Sequence, residues 1–326
     1  MKLFLDFYGV RAAIESEAES ILEEFRRDFQ WFRADPEKSM PHVRLGLSAT
    51  LPPSAVPQKK NSRRFVHHDP EAVVDYDFSE EEGGVFCAEP HRLHELGYLL
   101  LLSRVGEMLD RRGLHRVHGL ALEWGGKCAL MLLPMGGGKT TFALEALRSF
   151  PVRLVSEDTP LVDEQGRLWP FPLRVGICGD RNIDGIPESM QRVFRRKEYG
   201  PKMLVDIDYW KGRIAVGGPF VPSAIFVGQR GWAAPGEKLL RRVAAWRAAP
   251  ALISSLLVGV GVPQGREYLL RWDVRATGGL LKNAFSRTRT MMRLLACRRV
   301  YLWRLSRDTV ANAKTVSVTM ETFEDA

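Results

Sequence analysis

Several things are scarce in this chain. Cysteine occurs four times, as Cys87, Cys128, Cys178 and Cys297, far apart and never in a paired spacing. That pattern excludes a zinc-finger arrangement and a disulfide framework, and a reducing cytoplasm is the expected setting. Long apolar runs are missing too. The longest, residues 99–102 with their flanks, falls well short of a membrane span. The opening Met1-Lys2-Leu3-Phe4-Leu5-Asp6 meets an acidic residue too early for a secretion signal. Internal repeats and low-complexity tracts are absent. Acidic residues are outnumbered, 39 against 47 Lys and Arg, for a net charge of +8 and a pI near 9.4. This balance suits an anionic substrate or partner, such as a nucleotide, an acidic protein, nucleic acid or a lipid surface.

What is present describes a globular protein. The 326 residues are 45% hydrophobic, enough for one large domain or two of ordinary size. In the first 90 residues, Ile14, Ile21, Phe25, Phe29 and Phe32 recur at helical spacing and predict an amphipathic helix over about 13–32. Residues 50–64 are rich in Pro, Lys and Arg and read as an exposed loop. Residues 65–66 and 73–77 alternate weakly as strands, and 80–84 read as a turn. This makes 1–90 a small α+β region without a chemical motif, and 91–326 a second domain. Leu93, Leu96, Leu100, Val105 and Leu109 predict a helix over 91–112, closed by Arg111-Arg112-Gly113. A hairpin follows: 117–123, a turn at Gly125-Gly126, and a return over 128–133.

The returning strand delivers Leu133-Pro134-Met135-Gly136-Gly137-Gly138-Lys139-Thr140-Thr141, and a helical pattern starts at once after it. Strand, glycine loop, Lys-Thr and helix is the layout of a phosphate-binding loop. Glycines let backbone N–H groups face an oxyanion, and the helix N-terminus adds partial positive charge. Lys139 would reach the β- and γ-phosphates, Thr141 continues the loop into the helix, and the Thr140 hydroxyl would ligate Mg²⁺. The usual pattern has one further glycine at the position of Leu133. About twenty residues on, a short apolar strand over 152–155 ends in Ser156-Glu157-Asp158. Carboxylates at such a strand end can hold Mg²⁺ and accept the proton of an incoming alcohol.

His118-Gly119, the hairpin, the Gly136-Gly137-Gly138-Lys139-Thr140-Thr141 loop and Val155-Ser156-Glu157-Asp158 stand in an order that resembles HPr kinase/phosphorylase and its relatives. That family shares its nucleotide-binding core with ATP-dependent phosphoenolpyruvate carboxykinase. The resemblance covers about residues 115–178, with a looser echo to about 230. It implies an α/β, P-loop-containing HPr kinase/phosphoenolpyruvate carboxykinase-like core, with 1–90 as a smaller α+β region beside it. It further implies an ATP-dependent, Mg²⁺-requiring phosphotransferase with an alcohol acceptor. In that reading Lys139 and the amides of Gly136, Gly137 and Gly138 bind ATP, and Thr140 binds Mg²⁺. Asp158 is the catalytic base, Glu157 assists with metal, and His118 lies near the transferred phosphate. Arg174, in Pro172-Leu173-Arg174-Val175-Gly176, is the candidate for the family's arginine, though the family's glutamate there has no counterpart. The segment used for dephosphorylation has no match either, which favours a one-way kinase. Leu133, and Glu rather than Asp at position 157, mark a divergent member. Self-association is implied because family members are oligomers.

The remaining chain offers fewer signals. Residues 180–212 read as a helix and then a loop, with Arg195, Arg196, Lys197 and Lys202 able to close over phosphates; Lys202 is the preferred candidate. Residues 221–228 and 267–272 read as strands and 239–257 as helix. Residues 281–307 carry eight basic side chains and no acidic one, interleaved with Phe285, Met291, Met292, Leu294, Leu295, Tyr301 and Trp303. Packing of those apolar residues, or a surface for an acidic substrate, anionic lipid or nucleic acid, are both open readings. The acceptor is a protein or peptide serine, or a sugar, inositol or lipid headgroup; a regulatory protein that holds ATP without transfer is the non-catalytic alternative.

Overall fold

The computed structural model describes residues 1–36, 40–50, 64–69, 71–178, 185–195, 200–259, 274–297 and 299–323. The protein is mixed α/β, with four sheets among the described residues. The chain divides into two units, each assembled from three segments. The first holds Met1–Arg112, Leu173–Tyr209 and Pro263–Leu280; the second holds Gly113–Pro172, Trp210–Val262 and Leu281–Ala326. The expected boundary at residue 90 differs from this division, which keeps the long helix after it in the first unit. No helix among the described residues is long and apolar enough to cross a membrane. The expected loop over 50–64 and strand over 267–272 lie almost wholly outside the described residues.

The first unit starts with strands β1 (Lys2–Phe7), β2 (Val10–Ser16), β3 (Val43–Ser48), β4 (Arg64–Asp69), β5 (Ala72–Asp77) and β6 (Glu82–Cys87). They form one sheet in the order β1-β2-β3-β6-β5-β4. Helices α1 (Glu19–Asp28) and α2 (Pro90–Arg111) pack on it. Alternation decides which face they cover: Val43, Leu45 and Leu47 are buried while Arg44, Gly46 and Ser48 face the other way. The helix expected over 13–32 is shorter than that. Val10, Ala12 and Ile14 are buried in β2, which pairs in parallel with β3, and only Ile21, Leu22 and Phe25 belong to α1. The two-turn spacing of Ile14 and Ile21 is thus shared between a strand and a helix. The turn expected at 80–84 lies at 78–81, with Gly83 and Gly84 inside β6. Helix α2 begins on a Glu89 cap, whose carboxylate accepts from His91 N at 3.0 Å and from Arg92 N.

The chain then enters the second unit with β7 (Leu114–Arg116), β8 (Leu120–Trp124), β9 (Lys127–Leu132), α3 (Lys139–Ser149), β10 (Val152–Ser156), β11 (Leu161–Asp163) and β12 (Leu168–Trp169). It returns to the first for β13 (Val175–Cys178), β14 (Gln191–Phe194) and β15 (Lys202–Val205). These three pair antiparallel, with β15 central, and β14 and β15 lie within 180–212, where a helix and then a loop are expected. The second unit resumes with β16 (Pro222–Gly228), β17 (Leu240–Val243), α4 (Ala249–Leu252) and a π-helical turn over Ile253–Val258. Helix α5 (Val274–Leu295), β18 (Val300–Trp303) and α6 (Thr309–Glu321) complete the chain. The helix expected over 239–257 therefore starts as an edge strand, β17 against β18, and turns helical from Ala245, first as a 3-10 turn and then as α4.

The main sheet of the second unit has the order β10-β8-β9-β16-β18-β17. Strands β9, β16 and β18 run parallel, and β10 runs parallel to β9 because both are antiparallel to β8. Every residue of β8 is buried, as expected for a strand covered on both faces. Leu130, Leu132, Ile225, Val300, Leu252, Leu256 and Leu294 form one core cluster. Phe142 of α3 meets Trp303 edge-on with ring centroids 4.7 Å apart. The C-terminal ends of β9, β10, β16 and β18, and the start of β8, consequently share one edge of the sheet.

Candidate phosphate-binding site

That edge carries the glycine loop. Gly136 and Gly138 take φ of +71° and +85°, a left-handed conformation that favours glycine. Gly138 caps α3 and Lys139 opens it, so the first N–H groups of the helix face the loop. Gly137 N–H donates to Pro134 O at 2.9 Å and closes the turn. Leu133, where a further glycine is usual, is buried at 3% exposure. Its room comes from Gly228 at the end of β16, where an added Cβ would lie 3.0 Å from Leu133 Cγ and 3.3 Å from Leu133 Cα.

The segment before β8 is clamped against the end of β10. Val117 N–H donates to Pro160 O at 3.0 Å and Gly119 N–H to Asp158 O at 3.0 Å. His118, between them, also donates its backbone N–H to Ser255 O at 3.1 Å. The clamp aims the His118 ring at the loop. Lys139 Nζ lies 2.7 Å from His118 Nε2, and Asp158 Oδ1 lies 3.6 Å from His118 Nδ1 and 3.8 Å from Lys139 Nζ. An ammonium only donates, so Nε2 accepts and the imidazole proton sits on Nδ1. Nδ1 itself makes no hydrogen bond among the described residues. Burial, and then the Lys139 charge, lower the His118 pKa below its ordinary value, against the opposing pull of Asp158. The ring is therefore held neutral.

The two acids differ in setting. Glu157 is buried and accepts a hydrogen bond from the Thr140 hydroxyl. Asp158 keeps half of its side chain exposed, at 51%. Thr141 is half-buried in the first turn of α3. Thus Gly136, Gly137, Gly138, Lys139, Thr140, Thr141, His118, Glu157 and Asp158 come together at one sheet edge.

Arg174 and Lys202 belong to the first unit. Arg174, the expected catalytic arginine, pairs with a buried carboxylate: its Nη1 donates to Asp28 Oδ2 at 2.6 Å. Its guanidinium also lies 3.9 Å from the Tyr98 ring centroid. Asp28 is fully buried and also meets His94 Nε2 at 2.7 Å and Arg192 Nη2 at 2.8 Å. A buried carboxylate requires such partners, which accounts for the arginine. Lys202 is half-buried on β15, its stem lying across Gly176. Arg195 is exposed, while Arg196 and Lys197 lie outside the described residues. In the basic 281–307 stretch Met291, Leu294 and Trp303 are buried, whereas Phe285 and Met292 are exposed. Cys128 and Cys297 are free thiols.

Sequence reasoning missed the other side of the loop. A cleft of about 600 Å³ opens beside it, lined by His118, Gly136, Gly137, Gln229, Trp232 and Ser254 among others. The signal was available: Gly228-Gln229-Arg230-Gly231-Trp232 follows a convincing strand, and strand ends of parallel sheets carry ligands. Among the described residues no group of three His, Cys, Asp or Glu converges as a metal site. The chain matches no protein-family profile, and no curated protein matches it.

Proposed function

We propose that the protein is an ATP-dependent, Mg²⁺-requiring kinase of HPr-kinase-like core that transfers the γ-phosphate to a hydroxyl, with a protein or peptide serine the foremost acceptor. The observation that carries this reading is the convergence of Lys139, His118 and Asp158 at the mouth of a glycine loop capping α3. The loop amides and Lys139 receive the phosphates. Asp158, half-exposed, takes the proton of the incoming hydroxyl as its oxygen bonds to the γ-phosphorus. The bond to the bridging oxygen breaks, and ADP leaves with that electron pair. His118 accepts from Lys139 and holds its ammonium at the mouth of the loop, where it offsets the charge that develops.

The oxygen donors present fit Mg²⁺. Thr140 and Glu157 are in contact, Asp158 is adjacent in sequence, and this cation takes one or two carboxylates plus substrate phosphates, so no larger acidic cluster is needed. When bound, Mg²⁺ neutralises charge on the β- and γ-phosphates. A reducing cytoplasmic setting and self-association belong to the same proposal.

Incubation with γ-labelled ATP and fractionated lysate tests the reading. Wild type should label a discrete acceptor. Lys139→Ala and Asp158→Asn should each lose transfer by about 10²–10³-fold, Asp158→Asn while still binding ATP. Wild-type turnover in both variants refutes the mechanism.

A further inference from the structure

Resting on the nucleotide reading above, we propose that the cleft beside β16 receives the base of the bound nucleotide, with the Trp232 indole as the surface on which it stacks. The argument begins with direction. The glycine loop follows β9, which has β8 and then β10 on one side and β16 and then β18 on the other. Glu157 and Asp158 lie at the β10 end, so the transferred phosphate faces that side. The rest of a nucleotide must then leave the loop toward β16 and β18.

The cleft lies on that side. It runs from Gly136 and Gly137 to Gln229, Arg230, Trp232 and Leu305. Its volume, about 600 Å³, accommodates a ribose and base. Trp232 is 58% exposed and lines the cleft, so a flat aromatic face is open to a ligand there.

The loop that bears Trp232 is also fixed at both ends. Gln229 N–H donates to Trp303 O at 2.7 Å, and Ala233 N–H donates to Leu305 O at 2.9 Å. Gly231 makes the bend between them with φ of +87°. The indole is thus held on an extension of the β16–β18 ladder, so stacking on it orders little further chain. Gln229 and Arg230, beside it in the lining, supply polar groups for the edge of a base or for the ribose.

The test compares Mg²⁺–ATP with inorganic tripolyphosphate, which has the phosphates without the base. Binding of each to the full-length protein is measured by calorimetry for wild type, Trp232→Ala and Trp232→Phe. Trp232→Ala should weaken ATP by roughly five- to hundredfold and leave tripolyphosphate unchanged, while Trp232→Phe stays near wild type. Unchanged ATP affinity in Trp232→Ala overturns the stacking role, and so does an equal loss for both ligands. A Trp232→Ala protein that binds ATP normally but has a raised KM for the acceptor assigns the cleft to the acceptor and overturns it too. If wild type binds neither ligand, the nucleotide reading itself falls and this one with it.

Discussion

The ammonium of Lys139 donates to Nε2 of His118 across 2.7 Å, and both side chains are buried. Replacing the ring by an apolar group strands that charge without its acceptor. His118→Leu should lose about 1–3 kcal/mol of stability in urea denaturation, while His118→Gln, which offers an amide oxygen, should recover at least half. Equal stability of His118→Leu and wild type would show that the bond contributes nothing.

Leu133 and Gly228 form a second matched pair, one side chain seated over a position without one. Gly228→Ala should cost about 1–3 kcal/mol by overpacking. In a Leu133→Ala background the same change should cost well under about 1 kcal/mol, a coupling that a double-mutant cycle measures directly. Additive losses would mean that the two positions do not share space.

Asp28 governs acid stability in the first unit. Burial pushes its carboxyl up, but Arg174, His94 and Arg192 outweigh that and hold it well below the usual carboxylate range. A depressed folded pKa gives stability that is fully present above the unfolded value of about 3.9 and is lost as pH falls through the folded one. Asp28→Asn should destabilise by about 3–5 kcal/mol at neutral pH. Its deficit against wild type should shrink below pH ~4, as followed by thermal melts across pH. A deficit independent of pH would exclude the ion pairs as its source.

Thr140 donates its hydroxyl to Glu157 at the first turn of α3. If the pair helps to hold Mg²⁺, Thr140→Ala should raise the Mg²⁺ concentration for half-maximal transfer by about tenfold, and Thr140→Ser should restore it. An unchanged Mg²⁺ requirement would remove Thr140 from the metal's surroundings.

The legible parts of this protein are those written in consecutive residues. The hairpin around Gly125-Gly126, the glycine loop with Lys139, and the strand ending in Glu157-Asp158 all stand where the sequence places them, because each is set by local turn and period rules. Positions that depend on distant partners were not legible. The ion pair of Arg174 could not be read from its neighbours, because its partner Asp28 is 146 residues away. The spacing of Ile14 with Ile21 looked helical, but pairing of β2 with β3 decides it. Leu133 looked like damage to the loop because Gly228, which accommodates it, lies in another strand. Trp232 passed unnoticed because only the parallel order of β9, β16 and β18 sets it beside the glycine loop.

The buried charge of Asp28 also bears on how the protein is made. Of its partners, His94 is translated within the same early stretch, but Arg174 and Arg192 follow 146 and 164 residues after the carboxylate. The glycine loop leaves the ribosome before either arginine does. A nascent chain that has reached only Arg112 therefore holds α1 and α2 without the countercharges that Asp28 needs. Both arginines arrive only after the glycine loop and its helix, so the first unit gains its buried ion pairs after much of the second has been synthesised.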